Sequence, residues 1–421
     1  MHKPPSFSRR LQWRLEYGIY LTFEKVIGLL SPRAACRVGG WFGVLVGRLS
    51  ARHRRIVERN LRIAFAGEKS PAELAELAHE VFRRAGANLI ASLCTASLDP
   101  KALDRVVEVE DLNVLTDALA AGKGVIGVLA HMGNWEALAQ KFPQVMPPGV
   151  KAGDIYRRLS NPLLDARMMI TRQRTGLQLF EKSGNPLALA SFLRAGGGLG
   201  IVSDQRALGI GEIVPFFGRL TACTPLPAVL ARRTGARVVG ISVKTLEPGK
   251  WRIKFHPLIG EPTTENCMKA LEAVMRESPA DVFWLQDRWK VNHRKPQWEP
   301  GRAPKEGAAP FHAGKLRRCL VWLDADAGPV LPLKQAEPDN LVFEYSVPAG
   351  GPRPVWLVDD AIVHLRPVVD RRRLIAAEIS RIDAANVLPL DFVYAPNGPA
   401  KVIAVCRQMG IPVATIPEGN P

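Results

Sequence analysis

Several absences narrow what this chain can be. Its six cysteines (Cys36, Cys94, Cys223, Cys267, Cys319 and Cys406) are scattered and form no C-x-x-C pair. Neither a zinc site nor a disulfide framework is expected, and a reducing compartment fits. No apolar run approaches the roughly 18 uncharged residues of a membrane-spanning helix. Tyr17 to Leu30 is broken by Glu24-Lys25, and Val38 to Leu49 is 12 residues long. No uninterrupted apolar core follows Met1 and no small-residue cleavage site comes after it, so no cleavable signal is expected. There is no internal repeat and no nucleic-acid-binding motif, which leaves a nucleic-acid partner without support. Acids are scarce beside bases, 40 Asp and Glu against 57 Lys and Arg, a net charge of +17. The excess is local: residues 1–66 hold 13 bases against the 3 acids Glu16, Glu24 and Glu58, whereas residues 301–421 hold 14 against 13. A basic start interleaved with apolar residues, Trp13 and Trp41 among them, points to an anionic membrane surface and to amphipathic helices lying in its plane.

The most informative stretch runs from Gly124 to Glu136. Val125 to Ala130 is short, continuous and β-branched, which predicts a buried strand. It ends in His131-Met132-Gly133-Asn134, so an imidazole is delivered to the edge of a sheet, where parallel α/β sheets keep their sites. A helix beginning at Asn134 puts Glu136 in its first turn, facing back toward His131. A carboxylate beside an imidazole fixes its tautomer and stabilises its protonated form, which makes His131 a candidate general base with Glu136 as its support.

Further blocks follow in order: Arg54-Arg55-Ile56-Val57-Glu58-Arg59-Asn60-Leu61, Tyr156-Arg157, Asn161-Pro162-Leu163-Leu164-Asp165, Arg172-x-Arg174, Ser203-Asp204-Gln205, Val214-Pro215-Phe216-Phe217-Gly218 and Ala231 to Ala236. With the H-x4-E block, they make residues 15 to 295 resemble the lipid A biosynthesis acyltransferases, lauroyl and myristoyl transferases within the wider H-x4-D/E glycerolipid acyltransferase group. Two positions depart from that pattern. Arg158 stands where the family has proline, and Gln286-Asp287 replaces a His-Arg pair in the late block Trp284 to Lys290.

The resemblance implies an O-acyltransferase. It would move a fatty acyl chain from acyl carrier protein, or acyl-CoA, to a hydroxyl of a lipid A precursor. The same class acting on another glycolipid or phospholipid is the alternative; an inactive scaffold or a nucleic-acid-binding protein is a remote one. His131 and Glu136 carry over as catalytic residues, and Asn134, Arg157, Arg172, Arg174, Asp204 and Gln205 as substrate-binding residues. Arginine suits the acceptor's phosphates because its planar fork matches theirs. Backbone amides around Gly133-Asn134 are the expected donors to the oxyanion, and Phe216, Phe217 and Trp135 are candidate linings for an acyl tunnel. The acceptor hydroxyl is the nucleophile, so neither a metal nor any other cofactor is called for. The family places the enzyme on the cytoplasmic face of the bacterial inner membrane, peripheral or single-pass at its N-terminus.

The expected fold class is α/β. Residues 1–66 form a basic, amphipathic, membrane-associating helical segment, 67–295 the layered acyltransferase domain, 296–316 a linker and 317–421 a small accessory α/β module. Strands are expected at Val106 to Val109, Val125 to Ala130, Leu199 to Val202, Val238 to Val243 and Val282 to Leu285. Helices are expected at 71–98, Leu112 to Ala121, Leu187 to Ala195 and Leu226 to Thr234. In the module, the apolar runs Cys319 to Leu323 and Val355 to Val358 end at Asp324-Ala325-Asp326 and Asp359-Asp360. Strand ends capped by aspartates account for this. A phosphatase of the haloacid dehalogenase type, or a metal-dependent glycosyltransferase, is the alternative, but Ala327-Gly328 stands where the phosphatase pattern needs a threonine.

Overall fold

In a computed structural model of the chain, the residues described are 5–120, 123–207, 209–290, 315–323, 341–350, 357, 361–396 and 399–414. They form two compact units. The first comprises Met1–Ala51, Glu76–Gln205 and Thr224–Phe283; the second comprises Arg52–Ala75, Arg206–Cys223 and Trp284–Pro421.

Four helices open the chain: α1 (Phe7–Gly28), α2 (Pro32–Leu49), α3 (Ala51–Ala64) and α4 (Pro71–Thr95). Ser6 and Ser31 cap the first two by accepting the amides of Arg9 and Ala34. Ser70 and Glu73 form a capping box at the start of α4. The packing of α2 reverses the usual rule for a soluble helix. It buries Gly39, Gly43 and Gly47 and exposes Val38, Trp41, Phe42, Val46 and Leu49. The reason is backbone proximity. A Cβ on Gly43 would lie 2.0 Å from the Phe82 carbonyl oxygen, and one on Gly86 would lie 2.2 Å from that of Gly39. α4 therefore sits where only glycines let it approach.

The chain then runs α5 (Pro100–Asp104), β1 (Val107–Glu110), α6 (Leu112–Ala120), β2 (Val125–Leu129), α7 (Trp135–Lys141), β3 (Ala152–Tyr156), α8 (Pro162–Gln173), β4 (Gln178–Glu181), α9 (Pro186–Arg194) and β5 (Gly198–Val202). After the hairpin β6 (Glu212–Phe216) and β7 (Arg219–Cys223) come α10 (Leu226–Thr234), β8 (Arg237–Glu247), β9 (Lys250–Pro257) and α11 (Thr264–Glu277). The first unit is built on a seven-stranded sheet ordered β1-β9-β8-β2-β5-β3-β4. β8, β2, β5, β3 and β4 run parallel, and the β8–β9 hairpin reverses the direction at one side. Every residue of β2 is buried, as the continuous apolar run requires of a central parallel strand.

The expected strand at Val282 to Leu285 does not form. Val282 makes one antiparallel bridge to Met132, and the chain then turns. β9, which was not expected, alternates buried Trp251, Ile253 and Phe255 with polar residues, the period of a half-covered strand.

The second unit holds a parallel five-stranded sheet, ordered β12-β11-β10-β13-β14, from β10 (Arg317–Trp322), β11 (Leu341–Pro348), β12 (Ile362–Arg366), β13 (Phe392–Tyr394) and β14 (Val413–Ala414). Helices α12 (Arg372–Ala384) and α13 (Ala400–Met409) pack Ile375, Ile379, Val402 and Val405 on one face of β10. This is the expected small α/β module. Asp324, Asp326, Asp359 and Asp360 lie outside the described residues. The rest of the unit is bound into it. Arg59 of α3 pairs with Asp287 (3.1 Å) and with fully buried Asp391 (2.7 Å), and Asn60 donates to the carbonyls of Trp284 and Gln286. Buried Arg219 also reaches Asp391, at 2.7 Å. Asp287, in the family's late block, is thus an ion-pair partner of the Arg-Asn-Leu segment. Phe216 and Phe217 are buried among Phe65, Trp284 and Trp289, so they build this unit's core rather than a tunnel lining.

Candidate active site

β2 and β5 are neighbouring parallel strands with Leu129 in register with Val202. Each runs two residues further, to His131 and to Asp204, so the equal offsets bring the imidazole and the carboxylate together. Asp204 Oδ2 accepts the His131 backbone N–H at 3.0 Å, and its Oδ1 lies 2.9 Å from Nδ1. Glu136, the expected partner, goes elsewhere. Its two oxygens accept from Arg172 Nε at 3.0 Å and Nη2 at 2.5 Å, a bidentate pair with α8. The expectation that Glu136 holds the imidazole is therefore corrected: Asp204 does.

The cause is the turn between His131 and α7. Gly133 has φ +54°, and a Cβ there would meet the Val243 carbonyl oxygen at 2.3 Å. Asn134 caps α7 through Oδ1 to the Ala137 amide at 3.1 Å, while its Nδ2 donates to Thr95 Oγ1. That turn starts α7 at an angle that aims Glu136 at α8. It also takes up two expected substrate contacts. The Asn134 side chain serves as cap and brace, and the Gly133 amide donates to the Asp281 carbonyl at 2.9 Å, so it is not an oxyanion donor.

Burial disfavours the charged imidazole, but the hydrogen bond and charge of Asp204 outweigh it, with Asp154 and Glu136 adding. His131 is held above the ordinary histidine value. Asp154, on β3, was missed in the sequence. Burial pushes its carboxyl up to about 6, against the pull of Arg172. An acid within a strand next to a short Tyr-Arg block was the available signal.

The remaining expected residues are more dispersed. Arg174 donates to the carbonyls of Ala96 and Leu98, both at 2.8 Å, just beyond the end of α4. Arg157 and Gln205 are exposed beyond the ends of β3 and β5. Asn161 caps α8 and reaches α1, donating to the Trp13 carbonyl and to Glu16, while Arg167 pairs with Glu24 at 3.1 Å. The helix that carries Arg172 is thereby tied to α1. Four groups thus converge: an imidazole on a carboxylate and a guanidinium on a second carboxylate. Trp135 adds an edge-on ring 5.4 Å from His131. Such a set can take a proton from a hydroxyl and bind an anion beside it.

Residues 5–291 match the family described as bacterial lipid A biosynthesis acyltransferase. A phosphatidylinositol mannoside acyltransferase of Mycolicibacterium smegmatis is 26% identical over 203 residues, covering 46% of this chain and 66% of that protein. A lipid A biosynthesis acyltransferase of Haemophilus influenzae is 22% identical over 288 residues, covering 66% of this chain and 88% of that protein. A phosphatidylinositol mannoside acyltransferase of Mycobacterium tuberculosis is 27% identical over 199 residues, covering 44% of this chain and 60% of that protein. The matches thus span 60% to 66% of the length of these two mycobacterial relatives.

Proposed function

Because the chain belongs to the bacterial lipid A biosynthesis acyltransferase family, we propose that it is a membrane-associated O-acyltransferase that moves a fatty acyl chain from the thioester of acyl carrier protein or acyl-CoA to a hydroxyl of a glycolipid. The observation that carries this is the His131–Asp204 pair, 2.9 Å apart at the carboxyl edge of the sheet, beside the Glu136–Arg172 pair. With Nδ1 held by Asp204, the imidazole accepts the acceptor's hydroxyl proton at Nε2 as the oxygen attacks the thioester carbon. The tetrahedral intermediate then collapses. The carbon–sulfur bond breaks, and the imidazolium returns its proton to the thiolate. Asp204 stabilises that imidazolium, as the carboxylate of a catalytic triad does. Arg172, fixed by Glu136, turns the rest of its fork toward a phosphate of the substrate. Arg157 and Gln205, exposed at the strand ends, would meet the larger parts of the acceptor.

A lipid A precursor is the acceptor we put first. The similarity to proteins named phosphatidylinositol mannoside acyltransferases supports a second reading, in which another glycolipid takes its place. The donor fits either way, because acyl carrier protein and acyl-CoA are both anionic and the chain is basic.

The proposed place of work is the cytoplasmic face of the bacterial inner membrane. Among the described residues no helix is long and apolar enough to cross a membrane. α1 exposes Phe7, Leu11, Leu15, Ile19, Phe23 and Val26 at spacings of three and four, one stripe along the helix, and α2 adds Trp41 and Leu49. Such ridges among arginines favour an in-plane, peripheral attachment. We further propose the division 1–66, 67–295, 296–316 and 317–421, with the last an accessory module. Truncation is a poor test of it, because Arg59 and buried Arg219 both pair with Asp391 of that module.

The test is lipid mass spectrometry of cells that lack their own late lipid A acyltransferase and express this chain or its His131→Ala variant. The expected result is a lipid A species heavier by one acyl group, present only with the intact histidine. A new acylated glycolipid elsewhere would keep the enzyme and change the acceptor. The same product from His131→Ala would remove the mechanism.

A further inference from the structure

A concavity lies between α2 and α4, and none of His131, Glu136, Arg172 or Asp204 lines it. It is a crevice of about 520 Å³ whose walls include Arg37, Trp41 and Arg48 from α2, Arg83 and Arg84 from α4, and Thr245 near the end of β8. Its electrostatics are one-sided. The acid in its lining, Glu247, is paired with Lys250 at 2.7 Å. Arg83 and Arg84 share Glu80, and Arg84 also reaches Asp281 at 2.8 Å. Arg37 is exposed, so cationic charge exceeds anionic charge on its side of the groove.

The wall on the α4 side is rigid. Buried Asp281 accepts from Arg84, Asn88, Ser278 and both the amide and hydroxyl of Thr245. The crevice is therefore formed in advance of any ligand, which lowers the cost of binding. The opposite lip is the outward face of α2. Eleven positions separate Arg37 from Arg48, about three helical turns, so both arginines share the face that carries Trp41, Val44 and Leu45 between them. Beside that face run the exposed side chains of Val38, Phe42, Val46 and Leu49. Guanidinium forks next to an apolar ridge match a phosphodiester joined to acyl chains.

We propose that this crevice binds the headgroup phosphate of one anionic phospholipid of the surrounding bilayer, as a bound lipid and not as a substrate, a site that rests on the membrane-surface reading given above. The phosphate sits against Arg37 and Arg83, and the acyl chains lie along α2.

Two measurements on the full chain separate the site from that reading. Calorimetric titration with dihexanoyl phosphatidylglycerol below its micelle concentration reads the crevice without a bilayer. Sedimentation with phosphatidylcholine vesicles, with and without phosphatidylglycerol, reads membrane docking. The expected result is one short-chain lipid per chain, bound about tenfold more weakly by Arg37→Lys/Arg48→Lys, because lysine keeps the charge and loses the fork. The charge-removing control Arg9→Gln/Arg10→Gln on α1 should keep that affinity. Unchanged binding by the lysine variant would overturn the site, and so would equal binding of dihexanoyl phosphatidylcholine. Inorganic phosphate competing at the same affinity would make it a free-anion site and also overturn it. Vesicle binding without short-chain lipid binding rejects the crevice and keeps the membrane surface; the reverse keeps the crevice and rejects the surface.

Discussion

Among the described residues, two histidine–carboxylate pairs look alike by distance. His131 lies 2.9 Å from Asp204 in the seven-stranded sheet, and His364 lies 2.8 Å from Glu344 in the five-stranded one. Their surroundings separate them. His131 and Asp204 both stand past the carboxyl ends of their strands. His364 and Glu344 stand within paired strands β12 and β11. Among the described residues, Asp204 takes its side-chain hydrogen bonds from His131, through the ring and the backbone amide. Glu344 is also gripped by buried Arg318 through Nε and Nη2, and Arg318 in turn donates to the carbonyls of Ile382, Asp383 and Leu388. A carboxylate already balanced by an arginine has little charge left to steady an imidazolium. The same logic separates the two acids near His131: Glu136 is balanced by Arg172, and among the described residues Asp204 has no arginine partner.

The largest effect expected from breaking this contrast is at His131. His131→Ala should lower kcat about 10³-fold or more, the scale of a lost general base, with the fold intact by circular dichroism. Asp204→Asn should follow, at about 10²- to 10³-fold, because the tautomer is then no longer fixed. Its pH profile is the sharper readout. A base must be neutral, so activity is lost as pH falls through the raised value of His131. Asp204→Asn removes the first of the groups that raise it, so the acid limb of kcat/KM should move to lower pH while the rate drops. Glu136→Gln should cost less, about tenfold, chiefly in KM, through a loosened Arg172. If Glu136→Gln moved the acid limb further than Asp204→Asn, the assignment of partners would be reversed.

Much of this was legible in the sequence, and the gaps have identifiable causes. The runs at Val125 to Ala130 and Leu199 to Val202 are strands, and both His131 and Asp204 stand just past their ends. Their pairing was hidden because it depends on the strands being parallel neighbours in register, across 73 residues of chain. Glu136 was favoured by closeness in sequence. The left-handed Gly133 and the Asn134 cap then set a helix direction that spacing alone does not contain. β9 was readable from the alternation of Trp251, Ile253 and Phe255. The run at 282–285 has the composition of a strand, yet among the described residues its strand pairing is limited to the Met132 bridge. Arg174 and Asn134 have the residue types of binding groups and work on carbonyls and helix ends instead. On α4 the apolar Leu89 is 41% exposed, while Ala78, Ala85 and Ala91 are buried. Close helix approach favours small residues there, and a hydrophobicity pattern ranks them last.

A smaller effect is expected in the second pair, and in stability rather than catalysis. Arg318 and Glu344 each expose 4% of their side chains. Glu344→Gln leaves a buried guanidinium without its counter-charge, a loss of about 3 kcal/mol by denaturant unfolding. Burial works to raise the Glu344 carboxyl, but bonds from His364 and Arg318 bring it down to about 2 from 4.5. Its folded value lies below its unfolded one, so this stabilisation is complete above about 4.5 and is lost as pH falls toward 2. The acid dependence over that window should disappear in Glu344→Gln.

The smallest effect isolates the contrast best. His364→Gln removes a hydrogen bond to a carboxylate that Arg318 still holds in two places, so unfolding should shift by less than about 1 kcal/mol. Acyl transfer should be unchanged, because no step proposed for it passes through the five-stranded sheet. The same substitution at His131, with an equally short bond to its carboxylate, should abolish turnover. If His364→Gln lowered kcat without lowering stability, the accessory role proposed for residues 317–421 would be wrong, and the second pair would have to be counted in the chemistry.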